Sequence, residues 1–309
     1  MKQILKSFFL SRHWGWRLTR IAVLVPTLFI CLLVLFQNRV IFVPTTYPGG
    51  YYKEAENEVI ARHGITIQDV SFQSQDGILL HGWWSTPNQW SHDQDLALLW
   101  CHGNAGNISH RINRVLMLNR MGYAVFIFDY RGYGKSQGKP DEAGVYMDAM
   151  AAWDWLAAQQ SLDTDQIVIY GVSLGGAIAI DLTAKLEADK KPPLGLLLES
   201  TFTSIIGMKN ERMPFIPDFL VRARMDSLSK IPLITCPILM LHGTDDEIIP
   251  FHLGKALYGS ASDPKLFVPI QGGMHNDLDT YDTLYWKPIG TYLEKLNLGL
   301  PPFDQATTP

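Results

Sequence analysis

The sequence is poor in cysteine and carries little net charge of either sign. Its 309 residues include three cysteines, and their spacing matches no metal-binding motif: Cys31, Cys101 and Cys236. We therefore expect buried free thiols, without a disulfide framework or a zinc site. The formal net charge of −4 leaves no broad basic field, so a nucleic-acid partner is not expected.

Internal repeats and low-complexity tracts are also lacking, which excludes a solenoid or a compositionally biased chain. The Lys-Ser/Thr pair of a nucleotide-binding P-loop does not follow Gly103, Gly106 or Gly132 at the required spacing. Apolar residues make up 47% of the chain and charged residues 18%, which is ordinary for a globular protein.

One long apolar run lies near the N-terminus, over residues 21–36. With its apolar flanks it approaches the roughly 20 residues that a spanning helix requires. The excess of basic residues before it predicts a cytoplasmic tail over 1–17 and a single transmembrane anchor over 18–43. The remainder of the chain is then expected on the periplasmic, lumenal or extracellular side. Because the apolar core is a little short for a span, a surface anchor that does not cross stays open.

After a connector over 44–64, predicted strands alternate with predicted helices. Short apolar runs such as 96–101 are typical of buried parallel strands. The alternation predicts an α/β fold over 65–299, with a mostly parallel eight-stranded sheet and helices on both of its faces. Residues 200–237 break the alternation and predict either a small cap or an irregular connection. Residues 300–309 are expected to form a flexible tail.

The strongest chemical signal surrounds Ser173. Residues 171–175 read Gly-Val-Ser-Leu-Gly, directly after one predicted strand and directly before a helix. A sharp strand-to-helix turn exposes the serine hydroxyl, and the flanking glycines permit that turn. The helix N-terminus also directs backbone N–H groups at developing negative charge. The pattern therefore predicts Ser173 as the nucleophile of a serine hydrolase.

Two later loops supply an acid and a base for this serine. Residues 245–247 offer Asp245, Asp246 and Glu247, and Glu199 is a fourth candidate at the end of the preceding predicted strand. Spacing alone does not choose among these acids. The chain order serine, acid, histidine of α/β-hydrolases favours His275, which follows the last predicted strand.

The loop after the third predicted strand, over residues 101–107, is where this fold draws an oxyanion donor. We expect the backbone N–H groups of Asn104 and Leu174 to form the pair. His102 precedes the nucleophile in the chain and is therefore expected to shape the loop. In the loop over 129–136, Asp129 and Arg131 could bind a charged substrate, but an ion pair that braces the loop is favoured.

Taken together, these motifs resemble the membrane-anchored α/β-hydrolases of the bud-emergence-46 and α/β-hydrolase-domain-13 group, including its bacterial members. That group is related to the S9-type serine peptidases. The matching motifs are His-Gly-Asn, Asp-Tyr-Arg-Gly-Tyr-Gly, Gly-x-Ser-x-Gly-Gly, His-Gly-x-x-Asp-x-x-Ile-Pro and Gly-Gly-x-His-Asn. The family spacing implies Asp246 as the acid, with Ser173 as nucleophile and His275 as base.

The resemblance and the site imply hydrolysis of carboxylic esters or thioesters through an acyl-enzyme, without a metal or organic cofactor. The predicted cap and anchor favour acylated or lipid-like substrates near a membrane, either small molecules or acylated proteins. A peptidase or acyl-aminoacyl hydrolase of S9 type is the alternative, although the chain lacks the propeller domain of those relatives. A non-catalytic membrane-anchored scaffold is a further alternative.

Overall fold

The computed structural model describes residues 2–47, 49, 65–88, 90–91, 96–159 and 162–303. The side chains of residues 2–15, 18, 19 and 159 lie outside this description. Most of the predicted connector, residues 50–64, and most of the predicted C-terminal tail, residues 304–309, also lie outside the described residues.

Within these residues, eight strands form one sheet. They are β1 (Ile65–Gln73), β2 (Leu79–Pro87), β3 (Ala97–Cys101), β4 (Ala124–Asp129), β5 (Ile167–Val172), β6 (Gly195–Glu199), β7 (Ile238–Gly243) and β8 (Lys265–Ile270). The sheet order is β1-β2-β4-β3-β5-β6-β7-β8. The pairs β1–β2 and β2–β4 are antiparallel, and the other pairs are parallel. The mostly parallel eight-stranded sheet is confirmed.

The α-helices of the described residues are α1 (Lys2–Leu35), α2 (Gln37–Ile41), α3 (Ile112–Arg120), α4 (Glu142–Gln159), α5 (Leu174–Ala188), α6 (Ile205–Arg212), α7 (Ser227–Lys230), α8 (Phe251–Ser260) and α9 (Asp282–Asn297). Consecutive residues of the buried strands point to opposite faces of the sheet. Leu98 of β3 joins the core beneath α3 and α9, whereas Leu99 joins the core beneath α4 and α5. Helices therefore cover both faces of the sheet.

The N-terminal residues form α1 and α2, with a break at Phe36 (φ −110°, ψ 17°). Over the residues that the structure describes, none of the helices combines enough length with enough apolar character to cross a membrane. The spanning anchor predicted over 18–43 is therefore not found. Cys31 lies exposed on α1, so the expectation of buried thiols is wrong for this residue, whereas Cys101 and Cys236 are free and buried.

Two further departures from the sequence prediction lie near the C-terminus. The sequence pattern predicts that a last helix closes the domain over about 276–296, but α9 begins only at Asp282, after a turn at Leu278–Thr280. The reason is local, because the Asp277 carboxylate accepts the backbone N–H of Met274 (2.7 Å) and closes a loop around His275. In addition, α8 follows Pro250 and was not predicted.

Residues 200–237 connect β6 to β7 without a strand among them. They hold α6 and α7, with further turns at Asp218–Leu220 and Ile231–Leu233. This segment contacts the N-terminal helices, since the Gln37 side chain accepts the backbone N–H of Arg222 (2.7 Å). The segment predicted as a cap therefore contains α6 and contacts the start of α2.

Candidate active site

Ser173 lies at the junction of β5 and α5, with an unusual backbone conformation (φ 55°, ψ −119°). Few non-glycine residues adopt such a positive φ, and they concentrate at functional sites. The turn depends on its small neighbours. A Cβ on Gly175 would collide with the carbonyl oxygen of Cys101, and one on Gly171 would lie 2.6 Å from Ala179. The turn therefore requires glycine on both sides of Ser173.

A continuous chain of hydrogen bonds joins three side chains that the sequence predicts as a catalytic set. His275 Nε2 lies 3.0 Å from Ser173 Oγ, and His275 Nδ1 lies 2.8 Å from Asp246 Oδ2. A carboxylate only accepts hydrogen bonds, so Nδ1 carries the proton and Nε2 is free to accept the serine hydroxyl. All three residues are buried. This tautomer is the one that a general base requires.

Asp246 is the acid that the fold brings to the histidine ring. Its Oδ1 accepts the backbone N–H groups of Ile248 (3.0 Å) and Ile249 (2.7 Å). Burial disfavours the charged form of Asp246, but hydrogen bonds from His242 and His275 outweigh this and hold the pKa well below its usual range. Asp246 is therefore ionised and fixed in place at neutral pH.

The other three candidate acids have different partners. Asp245 is exposed and accepts a hydrogen bond from Thr244 Oγ1 (3.0 Å). Glu247 accepts the backbone N–H of His275 (3.1 Å), not its ring. Glu199 pairs with Arg114, with 2.8 Å between Oε1 and Nη1. The structure thus distinguishes Asp246 from acids that sequence spacing alone left open.

Two other histidines are excluded as partners of Ser173 by their positions. His252 also follows the acids in the chain, but its ring is exposed and contacts Glu211 (3.1 Å). His102 is fully buried, with Nδ1 2.7 Å from the carbonyl oxygen of Gly103 and its ring packed on Tyr130. Burial lowers the pKa of His102 to about 4, so it stays neutral. His102 shapes the loop, as expected.

The expected ion pair between Asp129 and Arg131 does not form. Arg131 instead binds Asp148 (2.8 Å) and Asp76 (2.7 Å), and Asp129 accepts the backbone N–H of Ile108 (3.0 Å). Because β4 ends at Asp129, the chain turns before Arg131 and directs its guanidinium towards α4. Arg131 therefore braces the loop, but through acids distant in sequence.

The two expected oxyanion donors, Asn104 and Leu174, line the same cavity as Ser173. Leu174 is the first residue of α5, and the first N–H groups of a helix have no partner within it. The Asn104 side chain is held by the N-terminal segment. Its Nδ2 donates to Ile41 O (2.6 Å), and its Oδ1 accepts from Val43 N (3.0 Å) and Tyr133 OH (2.8 Å). Nothing in the sequence pattern indicated this link between residues 41–43 and Asn104.

Ser173 and His275 open onto a cavity of about 670 Å³. One wall of the cavity is apolar: Ile41, Phe202, Ile205, Met208, Ile248 and Ile249. Polar and charged residues also line this cavity: His110, Arg111, Asn113, Arg114, Glu199 and Asp279. A second, largely apolar cavity of about 500 Å³ adjoins the first and shares Ile41, Ile205, Met208 and Ile248 with it. The cavity at Ser173 therefore has a charged part, which includes Arg111, and an apolar part that continues into the second cavity.

Within the described ranges, no cluster of three or more His, Cys, Asp or Glu side chains is arranged to hold a metal ion. The chemical groups gathered at Ser173 are those of acyl transfer: a hydroxyl, an imidazole, a carboxylate and helix-terminal N–H groups. On this sheet, with the serine at a strand-to-helix turn, they define an α/β-hydrolase.

Comparison with known proteins agrees with this class. A family model for the alpha/beta hydrolase fold matches residues 97–193. The α/β-hydrolase domain-containing protein WAV2 of Arabidopsis thaliana is 36% identical over 288 residues, which cover 86% of this chain and 90% of WAV2. The chain therefore belongs to the α/β-hydrolase family, in the group that includes WAV2.

A more distant relative and a solved structure extend the comparison. The lysophosphatidylserine lipase ABHD12 of Xenopus tropicalis is 34% identical over 230 residues, or 69% of this chain and 58% of ABHD12. The structure of the Pyrococcus furiosus esterase Pf2001 superposes with a TM-score of 0.64 at 18% identity, covering 82% of this chain and 97% of the esterase. At that identity the likeness to Pf2001 concerns the fold alone.

Proposed function

We propose that this protein is a serine hydrolase that cleaves carboxylic ester or thioester bonds. In this proposal Ser173 is the nucleophile, His275 the general base and Asp246 the acid that orients His275. The observation that carries the proposal is the hydrogen-bonded chain from Ser173 Oγ to His275 (3.0 Å) and on to Asp246 (2.8 Å).

The reaction divides into two acyl transfers. Ser173 Oγ attacks the acyl carbon while His275 Nε2 takes its proton, and ionised Asp246 stabilises the imidazolium. The N–H groups of Asn104 and Leu174 bind the oxyanion. The intermediate collapses as His275 protonates the leaving alcohol or thiol, which leaves an acyl-Ser173 ester. Water, deprotonated by His275, then attacks this ester and releases the acid.

Acylated, lipid-like substrates suit the shape of the site. The apolar cavity that continues from Ser173 past Ile205 and Met208 provides space where an acyl chain can leave water, at about 0.8 kcal/mol for each buried methylene. The similarity to the lysophosphatidylserine lipase ABHD12 supports the same substrate class. In this arrangement the acyl chain lies between α6 and α2, and the alcohol portion lies near the charged residues of the cavity, such as Arg111.

In the same proposal, α1 holds the enzyme at a lipid surface. Apolar side chains of this helix are exposed, among them Val23, Leu24, Leu28 and Leu35. Contiguous exposed apolar surface of this kind favours contact with a membrane or partner. A surface anchor places the mouth of the apolar cavity, which Leu33 and Val34 also line, next to its substrates. The periplasmic, lumenal or extracellular location predicted from the basic residues applies only to an anchor that crosses the bilayer, and it stays a prediction.

Substituting Met208 with tryptophan should shorten the acyl chain that the enzyme accepts. The larger ring would fill the passage between the two cavities, and losing two buried methylenes costs about tenfold in binding. We expect the ratio of kcat/KM for p-nitrophenyl dodecanoate over p-nitrophenyl butyrate to fall at least about tenfold. Leu233→Trp is the matched control, because Leu233 is exposed and lines neither cavity. An unchanged ratio in Met208→Trp would place the acyl chain elsewhere.

The reaction type is tested by comparing matched acyl substrates. The purified protein is given an ester, a thioester and an amide of the same acyl group, together with a dipeptide series. The proposal predicts turnover of the ester or the thioester at least about a hundredfold above the amide, since oxygen and sulfur are the better leaving groups. Preferential hydrolysis of the peptides would instead support the S9-type alternative.

A further inference from the structure

Arg111 lies immediately before α3 and lines the same cavity as Ser173. Its side chain is partly buried. Its Nη2 donates to two carbonyl oxygens of the oxyanion loop, those of Asn104 (3.3 Å) and Ala105 (3.1 Å). In the part of the chain that the structure describes, its Nε and Nη1 make no hydrogen bond and no carboxylate pairs with it.

The other enclosed arginines of this region are paired with acids. Arg114 contacts both Glu199 and Asp279, each at 2.8 Å. Arg131 contacts Asp148 and Asp76. A guanidinium removed from water is normally compensated in this way, because an unpaired buried charge is costly. Among the described residues, Arg111 therefore differs from Arg114 and Arg131 in having no carboxylate in direct contact.

The charge of Arg111 persists in this environment. Burial lowers the pKa of its guanidinium, as does the neighbouring charge of Arg114, but arginine does not lose its proton in proteins. The N-terminus of α3 adds further positive potential at the same place. The charge of nearby Glu199 offsets part of this effect, but Glu199 contacts Arg114 and not Arg111. Among the described residues, Arg111 therefore offers a ligand in the cavity a guanidinium that has no carboxylate contact.

We propose that Arg111 binds an anionic group, a phosphate or a carboxylate, on the alcohol side of the scissile ester. The inference rests on the hydrolase function proposed above and specifies its substrate class. The apolar residues of the cavity accommodate the acyl chain in the proposed function, so the charged residues that line the rest of the same cavity, Arg111 among them, are available to the alcohol portion. Guanidinium groups suit this task because their planar donors match phosphate and carboxylate oxygens. Arg111 is in this view a specificity-determining residue, not a catalytic one.

The test compares two substrates that differ only in the anion: 1-decanoylglycerol 3-phosphate and 1-decanoylglycerol, both below their aggregation concentrations. We expect the wild type to prefer the phosphorylated ester in kcat/KM. Arg111→Gln should reduce this preference at least about tenfold, mainly through KM, because a charge-assisted contact is lost. Arg111→Lys should retain part of it. The control Arg224→Gln, an exposed arginine that lines neither cavity, should keep it in full.

The outcomes separate the possible roles of Arg111. Equal losses on both esters would mean that the residue only braces the oxyanion loop, and the inference would be overturned. A wild type without preference for the phosphorylated ester would overturn it as well. Failure to hydrolyse either ester, or any ester of a wider panel, would instead contradict the proposed hydrolase function.

A second measurement needs no variant and identifies the source of the anion. Decyl phosphate should inhibit hydrolysis of 1-decanoylglycerol competitively, with an inhibition constant at least about tenfold below that of decanol. Equal inhibition by the two would overturn the inference. Inorganic phosphate that inhibits as strongly as decyl phosphate would support the anion site and indicate small phosphorylated esters, whereas weaker inhibition would indicate a lipid headgroup.

Discussion

Replacing Ser173 with alanine is expected to abolish turnover of a short p-nitrophenyl ester. His275 and the oxyanion N–H groups remain in this variant, but no side chain can accept the acyl group. In hydrolases of this kind, removing the nucleophile lowers kcat by a factor on the order of 10⁴ to 10⁶. The measurement is steady-state hydrolysis of p-nitrophenyl butyrate by the purified variant, with its thermal unfolding midpoint recorded alongside.

Ser200→Ala provides a matched control. Ser200 is also a buried serine with positive φ (44°), but it does not line the cavity that contains Ser173. We expect this variant to keep most of the wild-type activity. Turnover by Ser173→Ala close to the wild-type rate, in a preparation free of contaminating esterases, would contradict the assignment of the nucleophile.

The second large effect is expected for Asp246→Asn. The asparagine amide can donate a hydrogen bond to His275 Nδ1, which favours the wrong tautomer, and it removes the charge that stabilises the imidazolium. A fall in kcat on the order of 10⁴ is typical of this substitution in a catalytic triad. The measurement is kcat for p-nitrophenyl butyrate, with unfolding midpoints recorded because Asp246 also accepts two backbone N–H groups.

Asp245→Asn is the neighbouring control for this prediction. Asp245 is exposed, and its side chain accepts a hydrogen bond from the adjacent Thr244, so we expect the kcat of this variant to stay within about twofold of the wild type. Losses of similar size in both variants, or a larger loss in Asp245→Asn, would show that Asp246 is not the acid.

The mostly parallel sheet and the position of Ser173 could be predicted because their signals are local. Each buried strand is a short apolar run, and the Gly-Val-Ser-Leu-Gly segment lies between one such run and a helix. The spacing of residues in the sequence was not enough to identify Asp246 as the acid. Asp245 and Asp246 are neighbours in the chain, but Asp245 is exposed and Asp246 is buried. Only Asp246 contacts the ring of His275, which lies 29 positions later in the chain.

Interactions between distant segments could not be predicted from local pattern. The side chain of Asn104 binds Ile41 and Val43, more than sixty positions earlier in the chain. Arg131 pairs with Asp76 rather than with nearby Asp129. No periodicity or motif encodes such pairs, because they depend on how β-strand ends and loops meet after folding. Likewise, the sequence does not indicate that Arg111 lines the cavity of Ser173, because this depends on how its loop packs in the fold.

The most direct test of the central claim is covalent labelling of the folded protein with a fluorophosphonate, followed by intact-mass and peptide mass spectrometry. An activated serine attacks the phosphorus atom, whereas ordinary serine hydroxyls are poor nucleophiles. The account predicts a single adduct on the peptide that contains Ser173, and no adduct on Ser173→Ala. An unlabelled Ser173 in folded protein, or stoichiometric labelling of a different serine, would contradict it.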